Sequence, residues 1–249
     1  MKLNRILYDR FIEKARKVSI ENVTIGLGYT AVTLSDGGMG LAGTWFAGKK
    51  PTSMNKDYVD FEGKPADELL AYIHDDRMVH RCMALALINA FNYPVAAKIP
   101  ESPGNRFLLK TIGVARGTKV SMVGFFRPLV ERIKAGSTDL DILDETLGLG
   151  ERQSFYDRLS GRSDVLILTS TSILNNTTED ILQHTGKNVK TIMMGPSTPM
   201  VSDVFKHFRV HMLAGAVPVE KEKVLRAVRH GTGTPVIKNF CRQVYCTCP

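Results

Sequence analysis

From residue 119 onward the chain repeats one pattern, a short apolar run followed by an amphipathic stretch. "KVSMVGFF" leads into "PLVERIKAG", "DVLILTS" into "TEDILQHTG", "VKTIMMG" into "MVSDVFKHF", and "RVHMLAGAV" into "EKEKVLRAVRHG". Parallel strands can only be joined by crossovers, so this alternation constrains the fold to a mostly parallel sheet with helices on its faces. Pro128 in the first turn and Gly136 at the end fit the start and stop of the first of these helices.

The first half reads differently. Leu3, Leu7, Phe11 and Ala15 recur at helical spacing, so residues 3–17 form an amphipathic helix. "NVTIGLG" and "TAVTLSD" are strands. "DGGMGLAGTW" is a glycine-rich segment suited to positive φ and close backbone approach. "ADELLAYIHD" is a helix, and Arg77 to Phe91 is a longer, more apolar one that stops before Pro94. Strands followed by helices make an α+β domain. "IPESPGNR" is the best linker, which divides the chain into residues 1–100 (α+β) and 101–249 (α/β).

In an open parallel sheet, ligands bind outside the carboxyl ends of the strands. Three such ends run from apolar residues into Gly, Ser, Thr or Asn. They are Gly124 to Arg127, the crowded run Thr169, Ser170, Thr171, Ser172, Asn175 and Thr177, and the segment Gly195, Pro196, Ser197 and Thr198. Asn176 or Thr177 can cap the following helix, with Glu179 or Asp180 in its first turn. The remaining hydroxyls either satisfy the turn itself or hold a polar or anionic small molecule. A net charge of +8 favours anionic partners. Basic residues are interspersed with acids and lack aromatic interleaving, which argues against nucleic acid. No apolar run is long enough to span a membrane. The mixed-charge N-terminus lacks a signal-peptide core, so the expected location is the cytoplasm.

Other motifs are weaker. "GLGYTA" fits the dinucleotide fingerprint but is followed by strand-like alternation rather than a helix, so it reads as a hairpin or strand bend. Cys82 reads as a small core residue, and Met193, Met194 and Met200 as filler. His207 and His211 straddle a helix-to-strand passage, and Asp75 and Asp76 either bind a hard cation or, the favoured reading, end one helix and cap the next. "CRQVYCTCP" places Cys241, Cys246 and Cys248 within eight residues. It is either a soft-metal site for Ni, Co, Cu, Zn or Fe, or a flexible thiol-bearing tail. Its spacing is not that of a four-ligand zinc site.

"GYTAV", "DGGMGLAGT", "ALALINA", "MVGFF" with Pro128, "DVLILTSTSILNNTTEDIL", and "MMGPSTPM" followed by "MLAG" together resemble a family of heavy-metal chelation proteins. The resemblance implies a domain like the N-terminal domain of enolase followed by a Rossmann-like domain, with a site between the two. It also implies a setting of metal handling and anaerobic cobalamin synthesis. By motif it carries over Tyr29, Thr30, Gly38, Gly40, Asn89, Gly124, Thr169, Thr171, Asn175, Thr177, Gly195 and Ser197 as ligand-binding positions. The thiol cluster is a departure from the family's pattern.

The leading expectation is binding of a metal or an anionic metal chelate, such as a polycarboxylated tetrapyrrole, in a cleft between the domains. Arg127 would supply charge, and Asn175 and Ser197 hydrogen bonds. Two alternatives stand beside it. One is a transferase or lyase acting on a phosphate- or carboxylate-bearing small molecule; the other is a partner subunit of a metalloenzyme system. Homo-oligomerisation stays open.

Overall fold

The computed structural model describes residues 1–45, 58–136 and 138–248. Among them, the chain forms two compact units. The first comprises Met1–Ile99, Pro196–Pro199 and Ala216–Arg242; the second comprises Pro100–Gly195, Met200–Gly215 and Gln243–Pro249.

The first unit opens with helix α1 (Lys2–Ala15), whose Leu3, Leu7, Phe11 and Ala15 are buried as their spacing predicts. An antiparallel meander follows: β1 (Ile20–Ile25), β2 (Tyr29–Leu34) and β3 (Met39–Gly43). "GLGYTA" is indeed a hairpin, with Ile25 opposite Thr30. The segment "DGGMGLAG", read as glycines suited to close backbone approach, is largely strand. Its glycines are needed because α3 (Met78–Ala96) lies directly against it. A Cβ at Gly40 would come within 2.1 Å of the Ala86 carbonyl oxygen, and one at Gly38 within 2.5 Å of that of Ala90. Helix α2 (Asp67–Ala71) runs into a 3-10 turn, Tyr72–His74.

Helix α3 does not stop before Pro94 as expected; it continues to Ala96. Pro94 sits in the last turn, where its missing N–H removes a single intrahelical bond. Asp75 ends the preceding turn: its carboxylate accepts from the Arg77 backbone at 2.7 Å and from His80 Nδ1 at 2.8 Å, the helix-end role read from the sequence.

The second unit carries α4 (Asn105–Ile112), β4 (Lys119–Val123), α5 (Arg127–Ala135), β5 (Asp139–Leu143), α6 (Arg152–Gly161), β6 (Val165–Thr169), α7 (Thr178–Gln183), β7 (Lys190–Met194) and α8 (Ser202–Phe205). Strand β8 (Met212–Pro218) leads back into the first unit. There α9 (Lys221–Arg229) and α10 (Thr234–Ile237) pack Val224, Ala227, Val228 and Ile237 against Tyr29, Ala31, Met39 and Leu41. Strand β9 (Cys241–Thr247) then returns to the sheet, whose order is β5-β4-β6-β7-β8-β9. Cys241–Thr247 of the "CRQVYCTCP" segment is thus strand, not tail. The β5–α6 pair was not expected from the sequence.

All pairs from β5 through β8 are parallel. The core on one face joins Val120, Met122, Val165, Ile167, Ile192, Met212 and Ala214 to Leu108, Leu109 and Ile112 of α4 and Leu129, Val130 and Ile133 of α5. Each of these Val, Leu, Ile and Met side chains contributes about 1.5–3 kcal/mol when fully buried. No described helix is long and apolar enough to cross a membrane.

Candidate functional site

The strand order of the second unit reverses at β4. The chain steps from β4 to β5 on one side and then to β6 on the other. The space outside the carboxyl ends of β4 and β6 is therefore a topological switch point, where open α/β sheets place their ligands.

Strand β4 is followed by Gly124, with φ of +88°. A Cβ there would lie 2.9 Å from Thr169 Cβ, so only glycine lets the ends of β4 and β6 meet this closely. Phe125 and Phe126 are half-buried against the sheet core. Arg127 then opens α5 from an exposed position and enters no ion pair with a described residue.

The polar run after β6 mostly satisfies itself. The hydroxyls of Thr169 and Thr171 are 2.8 Å apart, as are those of Ser172 and Thr178. Asn175 Oδ1 accepts from the Thr177 hydroxyl at 2.7 Å and from its N–H at 3.3 Å, forming an Asx turn. Thr177 is the N-cap of α7 but makes no side-chain cap bond; its hydroxyl is committed to Asn175 instead. Of the two capping candidates, Thr177 takes the N-cap position without a side-chain cap bond.

Ser170 is the exception. It is 1% exposed, and its Oγ finds no hydrogen-bond partner among the described residues. An unmet buried hydroxyl costs about 1–3 kcal/mol. That oxygen stands 2.7 Å from where a Cβ would be on Gly195, the residue following β7, whose φ is +128°. Gly124, Thr169, Ser170, Thr171 and Gly195 thus share one edge of the second unit. Asn175 and Thr177 serve the turn behind it.

The other candidates lie in the first unit, where they tie its framework together. Tyr29 OH is 2.6 Å from Thr234 Oγ1, and burial raises its pKa. Thr30 and Thr44 hydroxyls pair at 3.0 Å. Gly38 and Gly40 admit α3. Asn89 Nδ2 donates to the carbonyls of Leu41 at 2.8 Å and Ser197 at 3.3 Å. Ser197 Oγ accepts from the Gly43 N–H at 2.7 Å. Pro196 is half-buried, and buried Thr198 Oγ1 finds no partner among the described residues.

The thiols do not converge as a trio. Cys241 packs against the Tyr29–Val228 cluster of the first unit, and burial pushes its thiol up to about 12. Cys246 and Cys248 belong to the second unit; burial raises both, Cys248 to about 12 with a further push from Cys246. Among the described residues, no group of three or more His, Cys, Asp or Glu side chains is placed to hold a metal ion. The described side chains therefore do not supply the four-ligand donor set of a closed zinc-type centre.

Two family models, both described as "Putative heavy-metal chelation", match residues 8–92 and 108–247. The chain belongs to this family. It is similar to an uncharacterised protein of Methanocaldococcus jannaschii, 23% identical over 246 residues, covering 93% of this chain and 91% of the relative. Two solved structures of proteins of unknown function from the family matching residues 108–247 share its fold. One, from Desulfitobacterium hafniense, has a TM-score of 0.78 at 20% identity over 99% of this chain and 100% of its own. The other, from Pyrococcus horikoshii, has a TM-score of 0.80 at 19% identity over the same shares.

The sequence flagged the strand-end loops, but Ser170 stood out there no more than its neighbours. Its isolation depends on which hydroxyls pair in space. The proximity of His211 to Cys248, whose N–H donates to the His211 carbonyl at 2.9 Å, likewise depends on strand pairing that no local motif encodes.

Proposed function

We propose that this protein binds an anionic organic chelate of a transition metal at the switch-point edge of its parallel sheet. The organic ligand supplies most of the metal's donors. This reading reconciles a heavy-metal chelation family with described side chains that assemble no group of three or more metal ligands. The ligand we favour carries several carboxylates, as a polycarboxylated tetrapyrrole does, and is handled in the cytoplasm. The meander unit is read as enolase N-terminal-like and the parallel-sheet unit as Rossmann-like.

The observation that carries the proposal is the buried, unpartnered Ser170 Oγ beside Gly195. A carboxylate oxygen would accept its proton and remove the desolvation penalty. Thr171 offers a second hydroxyl, and Arg127 at the start of α5 supplies charge beside a helix N-terminus.

The test is calorimetric titration with phosphate, citrate, Ni²⁺–citrate and Co²⁺–citrate, on the wild type and on Ser170→Ala and Arg127→Gln. A hydrogen bond to a charged group contributes about 1.5–3 kcal/mol, so each variant should weaken chelate binding roughly tenfold or more. Absence of saturable binding by any of these anions, or binding indifferent to both substitutions, would refute the proposal.

A further inference from the structure

The edge strand β9 carries a feature that the strand-end site leaves unused. The Cys248 N–H donates to the His211 carbonyl at 2.9 Å, and Tyr245 packs in the same core cluster as Ala214. Strand β9 neighbours β8 in the sheet, and this bond ties the residue just past the end of β9 to the residue just before the start of β8. Tyr245 and Ala214 face the α4–α5 core. Side chains alternate along a strand, so Cys246 and Cys248 share the opposite face. Both are half-buried, and the two thiols are close enough to influence each other's ionisation.

His211 does not complete a three-ligand set. The Thr191 N–H donates to its Nδ1 at 3.0 Å, so that lone pair is taken and the neutral ring carries its proton on Nε2. A metal-bound histidine shows the reverse arrangement, one nitrogen on the metal and the other donating. What remains is a pair of thiols. Residues two apart on a strand are separated by about 6.6 Å along the backbone, longer than the usual disulfide spacing of about 5.5–6 Å. Two metal–sulfur bonds of about 2.3 Å in line span about 4.6 Å, which side chains leaning together can meet. Zn²⁺ demands four ligands. Copper(I), a soft ion that accepts two thiolates in line, does not.

We propose that Cys246 and Cys248 form a two-thiolate site for copper(I). On binding, two S–H bonds break and two S–Cu bonds form. Two protons leave to solvent, and no electron is transferred when the metal arrives as Cu⁺. The resulting complex bears one negative charge. The site is separate from the strand-end crevice, so its test is independent of the chelate reading.

The experiment is an anaerobic titration of the reduced full chain with Cu⁺ against a chromophoric competitor. It reads thiolate-to-copper absorption and proton release, with thermal melts checking that each variant is folded. The expected result is one Cu⁺ and two protons released per chain in the wild type, in Cys241→Ser and in His211→Gln. Cys246→Ser and Cys248→Ser should each lose the absorption and retain no Cu⁺ against the competitor. Equal uptake by the Cys246→Ser/Cys248→Ser double variant would overturn the assignment, as would loss of binding in Cys241→Ser or His211→Gln, or displacement of Cu⁺ by equimolar Zn²⁺.

Discussion

Replacing Gly40 by alanine tests why the first unit needs its glycine-rich segment. The new Cβ would sit 2.1 Å from the Ala86 oxygen, 2.3 Å from the Ala90 nitrogen and 2.6 Å from the Asn89 carbonyl carbon. All three obstacles are backbone of α3, a helix of 19 residues, so no side chain can swing away to make room. Ordinary contact lies near 3.5–4.0 Å, so β3 and α3 must part by roughly 1 Å or more. Overpacking typically costs about 1–3 kcal/mol, and a rigid obstacle belongs at the upper end, about 3 kcal/mol. For a chain of this length each kcal/mol lowers Tm by about 2–4 °C, so the expected loss is about 6–12 °C. The control is Gly37→Ala, where φ is +81° and nothing lies within 4 Å of the added Cβ. Only the backbone penalty of about 1–2 kcal/mol applies there. Thermal melts by circular dichroism compare the two. If Gly40→Ala melts no lower than Gly37→Ala, the close-approach argument fails.

Three further outcomes follow from the geometry. Ser170→Ala removes an unmet buried hydroxyl, so the ligand-free protein should gain up to about 1 kcal/mol in denaturant unfolding while losing chelate affinity; a marked loss of stability would mean that the hydroxyl already has a partner. Glu151 caps α6 by accepting from the N–H groups of Gln153 and Ser154, and those bonds, with the Ser154 hydroxyl, hold its carboxyl near 2 instead of the ordinary 4.5. Because the folded value is depressed, its contribution is present above about 4.5 and lost as pH falls toward 2. Glu151→Gln should flatten this part of the acid limb in melts from pH 6 to pH 2, and an unchanged limb would contradict the cap. Cys82 is buried, accepts from the Trp45 N–H at 3.3 Å, and has its thiol pushed up to about 11 by burial. Iodoacetamide at pH 8 should leave it unmodified in the native chain and label it in urea, as read by mass spectrometry; rapid native labelling would contradict its burial.

The alternation of apolar runs and amphipathic stretches made the parallel sheet legible, because each long buried strand carries a near-continuous aliphatic run such as Val165 to Leu168. Strand β5 escaped because it lies at the sheet edge, where "DLDIL" needs only one covered face. Helix α6 escaped because its sequence, "RQSFYDRLSG", is mostly polar. Strand β3 was hidden by its own glycines, whose cause is a helix some fifty residues later in the chain. Strand β9 was hidden by chemistry: three cysteines drew attention to metal binding instead of alternation. At the strand ends the sequence supplied the right segments but could not apportion their hydroxyls. Thr169 with Thr171, Ser172 with Thr178 and Asn175 with Thr177 cancel pairwise. Only the folded chain singles out Ser170.

Backbone amide shifts during titration with Ni²⁺–citrate, using the diamagnetic zinc complex as a control for paramagnetic effects, probe the switch-point claim most directly. The account predicts saturable changes centred on Gly124, Thr169, Ser170, Thr171 and Gly195, moved to roughly tenfold higher ligand concentration or beyond by Ser170→Ala. Changes confined to other parts of the chain, or none at ligand concentrations that saturate the calorimetric signal, would contradict it.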